Sequence, residues 1–158
     1  MASAALRLFQ RFGGSAPGRW FVSRAICRRA PYFASIAPCI ETLEPGRCVV
    51  RIRDRRAVHN HIGTVHAIAL CNMAELAAGL ATDATIPDAL RWIPKGMTVR
   101  YLAKARGTMS ATARVPAVAV ASEGSELQVP VEVRNDAGEI VFDAAIAMWI
   151  SPRKDTRG

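Results

Sequence analysis

The residues able to do chemistry gather in one stretch of this 158-residue chain: His59-Asn60-His61-Ile62-Gly63-Thr64-Val65-His66-Ala67-Ile68, followed by Glu75. Between His66 and Asp83, Glu75 is the only fully charged side chain in an otherwise apolar run. A helix that apolar on every side belongs at the centre of a domain. The carboxylate has two readings. It can belong to a surface strip with Cys71, Asn72, Ala78 and Gly79, its helix neighbours one turn away. It can equally be a reagent, a general base or nucleophile held among apolar side chains.

The helix start offers complementary chemistry. Gly63-Thr64 leads into it, and Thr64 stands where an N-cap is expected. The first-turn N–H groups of His66, Ala67 and Ile68 then point outward with the helix dipole behind them, an arrangement that suits a developing oxyanion. Ala67 and Glu75 are eight residues apart, roughly 12 Å along a helix axis. A carbonyl held at the helix start is therefore beyond the reach of the same helix's glutamate. Two antiparallel helices across a two-fold axis would bring each glutamate to the other's N-terminus. A catalytic Glu75 thus implies a homodimer, or a dimer of such dimers, with shared sites.

His59, His61 and His66 invite a metal reading, but no acidic or cysteine ligand stands at a recognised spacing and HExxH and CxxC are absent. No metal is expected. His59 and His61 read as loop residues bonding backbone, and His66 as one that orients substrate. Asn60 is either a turn-former or the holder of a water or carbonyl. Arg91, Lys95, Arg100, Lys104 and Arg106 surround the strand after the helix, as a solvated face or as a phosphate-binding rim. Trp20, Trp92 and Trp149 read as core or interface aromatics.

A formal charge of +8 and a pI near 10.2 call for an anionic partner. Nucleic acid fits poorly, because the basic residues lack an aromatic platform. Cys27, Cys39, Cys48 and Cys71 read as thiols of a reducing compartment. No stretch approaches the roughly 20 apolar residues of a membrane span, so no stable membrane insertion is expected. The first 31 residues hold six arginines and no acid, the composition of a mitochondrial transit segment or of folded helices with a basic face. The folded reading, in a cytoplasmic protein, is preferred.

The elements that must position these residues follow from periodicity. Residues 4–12 and 17–29 read as helices, making 1–30 a basic helical segment. Tyr32–Ile36 and Cys39–Leu43 read as one interrupted strand, with Cys48–Arg53 returning after the Glu44-Pro45-Gly46 turn. The long helix ends near Ala81, and Asp83–Pro94 reads as a loop. Met97–Ala103, Thr108–Val115, Glu126–Arg134 and Ile140–Ile150 read as strands joined largely as hairpins, with a turn at Ser122-Glu123-Gly124-Ser125. Ser151–Gly158 reads as a frayed tail. The whole is one α+β domain over residues 1–158, an antiparallel sheet of about six strands wrapped around one long helix.

Asn60-x-x-Gly63-Thr64-x-His66-Ala67, continued by Ala74-Glu75, resembles the signature of hotdog-fold acyl-CoA thioesterases of the phenylacetyl-CoA type: Asn-x-x-Gly-x-x-His-Gly-Gly and then a helix carrying Asp or Glu. With the basic N-terminal helix and Arg91-Trp92-Ile93-Pro94-Lys95-Gly96-Met97, the chain resembles still more closely a bacterial branch of that superfamily described as a domain of unknown function. The resemblance implies that Glu75 activates water or attacks a thioester. It implies that the Ala67 and Ile68 N–H groups polarise the carbonyl, and that Asn60, Gly63 and His66 shape the pocket. It also implies a shared dimer site and no cofactor beyond coenzyme A as part of the substrate, its phosphates meeting the basic rim. Ala67-Ile68 departs from Gly-Gly; backbone donation survives that change, while Ile68 adds bulk. Alternatives on the same fold are a non-hydrolytic acyl-CoA or fatty-acyl binding protein and an acyl dehydratase using His66.

Overall fold

In the computed structural model, which describes residues 2–117 and 124–153, three helices and six strands form a single α+β layer arrangement. Helix α1 (Ala4–Phe12) is capped by Ser3, whose Oγ accepts from Leu6 N at 3.2 Å. Helix α2 (Ala16–Arg29) is capped in the same way by Ser15, with Pro17 in its first turn. The two form a basic hairpin that buries Leu6, Val22 and Cys27 and packs against the rest of the domain.

Strands β1 (Cys39–Glu44) and β2 (Arg47–Ile52) form a hairpin around Gly46 at φ +83°. Helix α3 (Ala67–Thr85) follows, then β3 (Leu90–Tyr101), β4 (Met109–Arg114), β5 (Ser125–Arg134) and β6 (Ile140–Pro152). All pairings are antiparallel in the order β1-β2-β4-β5-β6-β3. Thirteen of the nineteen residues of α3 are buried, and it touches every strand, which makes it the axis of the core. Its many alanines let the sheet approach closely. Thr85 Oγ1 accepts from Gly46 N at 2.8 Å, fixing the helix end to the β1–β2 turn.

Several local expectations are corrected. Pro31–Ile36 is a 3-10 helix ended by Ala37 in the left-handed region at φ +46°, so the strand begins only at Cys39. Strand β3 starts at Leu90 rather than Met97, because its place at the sheet edge tolerates Pro94, which has no N–H to donate, and a bulge at Lys95 absorbs the irregularity. Strand β3 is no hairpin partner of β4; it crosses to the far edge and pairs with β6. Helix α3 continues past Ala81 to Thr85. Ser151 and Pro152 belong to β6, and Arg153 N donates to Ala89 O at 2.8 Å, so that part of the tail is tied down. Residues 154–158, and Ser122-Glu123 of the expected turn, lie outside the described residues.

Candidate functional site

The loop before α3 is built by Asn60. Its Oδ1 accepts from the backbone N–H groups of Ile62 and Thr64, each at 3.1 Å, and its Nδ2 donates to Thr64 Oγ1 at 2.9 Å. Gly63 holds φ +74°, a left-handed conformation that favours glycine. The amide of Asn60 is thereby spent inside the loop, and Thr64 is buried with its hydroxyl turned to Asn60. Thr64 is not the N-cap. The cap is His66, whose Nδ1 accepts from Ile68 N at 3.0 Å. Since Nδ1 accepts, a neutral His66 carries its proton on Nε2, directed away from the helix end.

This changes which donors are free. Ile68 N–H is taken by His66, and His66 N–H donates to Val58 O at 2.8 Å. Among the described residues Ala67 N–H has no partner, so it is the open donor of the first turn. Ile68 leaves its side chain 55% exposed beside it. His59 is held differently from His66: its Nε2 bonds Asp54 Oδ1, while Asp54 Oδ2 accepts from Gly107 N at 2.8 Å. The hydrogen bond from His59 holds the Asp54 carboxyl below the usual aspartate range, the Gly107 bond adds to this, and partial burial opposes both. His61 sits exposed in the turn. Among the described residues no three metal-ligating side chains converge.

Glu75 lies at mid-helix, half-buried, with no hydrogen-bond or ion partner among the described residues. It opens into a cavity of about 840 Å³ bounded by α1, α2, α3 and the first half of β3. Gly79, one turn on, makes room for Trp92: a Cβ there would lie 2.8 Å from the indole ring. Trp92 Nε1 donates to Asp83 Oδ1 at 3.3 Å, fixing the ring across the helix. A second cavity of about 170 Å³ sits at the helix start, lined in part by Ser35, His59, His66, Ile68 and Asn72. The two ends of the functional stretch therefore open into different cavities of one chain, as their 12 Å spacing requires.

The basic residues divide in two. Arg91, Lys95 and Arg100 stand exposed on β3. Arg91 Nε donates to Ser151 Oγ at 3.3 Å, Lys95 Nζ lies 5.6 Å from the Trp149 ring centre, and Arg100 pairs with Asp143 at 2.9 Å. That pair holds the Asp143 carboxyl below its ordinary range. Lys104 and Arg106 are exposed on either side of Ala105, whose carbonyl accepts from Val65 N at 2.8 Å. They therefore flank the loop leading into α3, nearer the open Ala67 donor than sequence position suggests.

Sequence reasoning passed over three partners. Asn72 Nδ2 donates to Ser35 Oγ at 3.2 Å, and its buried Oδ1 has no partner among the described residues. Cys71 Sγ and Tyr101 OH lie 3.4 Å apart; the hydrogen bond, with partial burial, pushes the tyrosine pKa up to about 12. The Trp92–Asp83 pair was the third. Only helical phase could have signalled these: from α3, Cys71 reaches Tyr101, Asn72 reaches Ser35 and Asp83 reaches Trp92. The four cysteines are free thiols, Cys27 and Cys48 buried, and burial pushes the Cys48 thiol well up.

Residues 18–150 match the model of a family described as a domain of unknown function, DUF4442. Among curated proteins none matches the chain. A crystal structure from a structural-genomics programme is 47% identical, with a TM-score of 0.83, covering 94% of this chain and 99% of that one. A Pseudomonas aeruginosa protein of unknown function, described as a "probable thioesterase", is 24% identical with a TM-score of 0.75 over 84% of this chain and 95% of its own. A thioesterase from Haemophilus influenzae shares 10% identity with a TM-score of 0.73, over 85% and 91% of the two chains. The last two show likeness of fold: an antiparallel sheet around a central helix. The chain belongs to the DUF4442 family, and its hotdog fold is the one seen in those structures.

Proposed function

We propose that the protein is a thioester hydrolase acting on an acyl-coenzyme A, in a two-fold homodimer whose sites join both subunits. The observation that carries this reading is Glu75: a carboxylate without a partner among the described residues, half-buried at mid-helix, facing a largely apolar cavity. An ion pair or solvent would ordinarily satisfy such a group. The names of the hotdog-fold neighbours support thioester chemistry.

Within the dimer, the thioester carbonyl of one site takes a hydrogen bond from the open Ala67 N–H. Glu75 from the other subunit takes a proton from water as the water oxygen attacks the carbonyl carbon. The tetrahedral oxyanion is held by that donor at the positive end of the helix dipole. Its collapse breaks the C–S bond, and the leaving thiolate recovers the proton, yielding a carboxylic acid and a thiol. Lys104 and Arg106, on either side of the Ala105 that bonds Val65, would meet the phosphates at the same end. Dimerisation is supported by the free edge of β3, twelve residues long with Ile93 57% and Tyr101 52% exposed, together with exposed Ile68 and Leu102.

Replacing Glu75 by Gln or Ala should abolish thiol release across a panel of acyl-CoAs while leaving the melting temperature near that of the native chain. Unchanged turnover in either variant would sink the mechanism. Acyl-CoA binding without any thiol release by the native chain would favour a non-hydrolytic carrier.

A further inference from the structure

The shape of the Glu75 cavity narrows the substrate, an inference that rests on the thioester reading. We infer that this cavity holds the straight aliphatic tail of an acyl group of about ten carbons or more, with the N-terminal hairpin as the wall that sets chain length. Along α3 the lining residues are Glu75, Leu76, Gly79, Leu80 and Asp83, the spacing of one helix side. The cavity therefore runs beside the helix for roughly 12 Å from the carboxylate. Extended backbone gains 3.3–3.6 Å over three bonds, so an extended alkyl chain advances roughly 1.2 Å per bond and about ten bonds span that length.

The walls favour hydrocarbon. Leu8 and Ile26 from the hairpin share the cavity with Leu76 and Leu80 of α3, and Trp92 crosses it over Gly79. Much of its polar lining is bonded to other groups of the same wall. Asp83 accepts from Trp92, Arg7 donates to Ala2 O, and Arg153 Nε donates to Leu90 O at 2.9 Å. A volume of about 840 Å³ is at the upper end of small-molecule sites, roughly 300–1,000 Å³. An acetyl or butyryl group would leave most of that apolar space unfilled. Helix α1 precedes the residues 18–150 that the family model matches, so part of this wall is supplied from outside the matched region.

The test uses the full chain and S-alkyl-coenzyme A thioethers from ethyl to hexadecyl, which lack a cleavable carbonyl, titrated calorimetrically. Affinity should rise about fourfold per methylene and flatten near about ten carbons. Ala25→Trp, which fills the hairpin side of the cavity, should move the break to shorter chains; Leu8→Ala, which widens it, should not shorten it. Affinity independent of length from butyl to hexadecyl would overturn the assignment. So would an unmoved break in an Ala25→Trp variant that melts like the native chain. If that variant does not fold, the native ladder alone decides. The thioethers do not require Glu75 chemistry, so the two readings fail separately. A clear ladder without thiol release from true thioesters removes hydrolysis alone; thiol release without a ladder removes the tail site alone.

Discussion

Asn60 offers the sharpest way to separate positioning from contact with substrate. Its side chain makes three hydrogen bonds, all inside the 60–64 loop. In Asn60→Ala, Ile62 N–H lies in an exposed residue and can turn to water. Thr64 N–H belongs to a residue only 4% exposed and is left wanting. An unsatisfied buried donor costs about 1–3 kcal/mol, and the lost amide–hydroxyl bond a further ~1 kcal/mol, for a total near 3 kcal/mol. For a chain of this size, that lowers the melting temperature by roughly 6–12 °C. Asn60→Asp is the informative partner. Its carboxylate keeps both backbone acceptances, and the Thr64 hydroxyl can rotate to donate to the second oxygen. Stability should stay within about 1 kcal/mol of native, and kcat/KM for an acyl-CoA within about tenfold, since no donor to the substrate has been removed. Were Asn60 instead a donor to the carbonyl, the acceptor-only carboxylate would cost about 100- to 1,000-fold. An Asn60→Asp variant that melts like the native chain yet loses that much turnover would refute the positioning role.

Two further outcomes concern stability. Gly79→Ala gains about 1 kcal/mol of helix propensity but sets a Cβ against the Trp92 ring, an overpacking cost of about 1–3 kcal/mol. Denaturant melts should therefore show net destabilisation or at best neutrality; a clear gain would mean that Trp92 is free to move. Asp54 has a lowered folded-state pKa, so its contribution is present above the ordinary aspartate value of 3.8 and is lost as pH falls through the lowered one. The melting gap between native and Asp54→Asn chains should be open at neutral pH and close in acid below that value. A gap constant into strong acid would remove Asp54 as its source.

Legibility tracked how local each determinant is. Helix α1 announces itself through apolar residues at helical spacing between arginines and α3 through an apolar run after the histidine loop, and the 12 Å between Ala67 and Glu75 follows from rise per residue alone. The Tyr32–Ile36 segment is short and largely apolar, as a strand would be, but Pro31 before it and the left-handed Ala37 after it bound a 3-10 helix instead. Leu90–Pro94 was hidden by its proline, because whether a strand can hold one depends on which sheet edge it joins, a fact of tertiary topology. Thr64 was the obvious N-cap by residue type, yet the Asn60 amide claims its hydroxyl and the duty passes two residues on to His66. The cavity beside Glu75 was out of reach for the same reason: its far wall comes from a hairpin some fifty residues earlier in the chain.

The sheet order carries a consequence for biosynthesis. Strand β3 leaves the ribosome with no neighbour to join, because among the described residues its one strand partner, β6, is the last strand made. Until residues 140–152 emerge, twelve residues bearing Ile93, Met97, Val99 and Tyr101 present two open edges rather than one. Long-range pairing of this kind slows folding and leaves strands exposed to neighbouring chains. The arginines and lysine spaced along β3, and the proline in its middle, are the features that discourage such encounters. The same strand must thus stay unattractive to strangers during synthesis and keep one edge open afterwards.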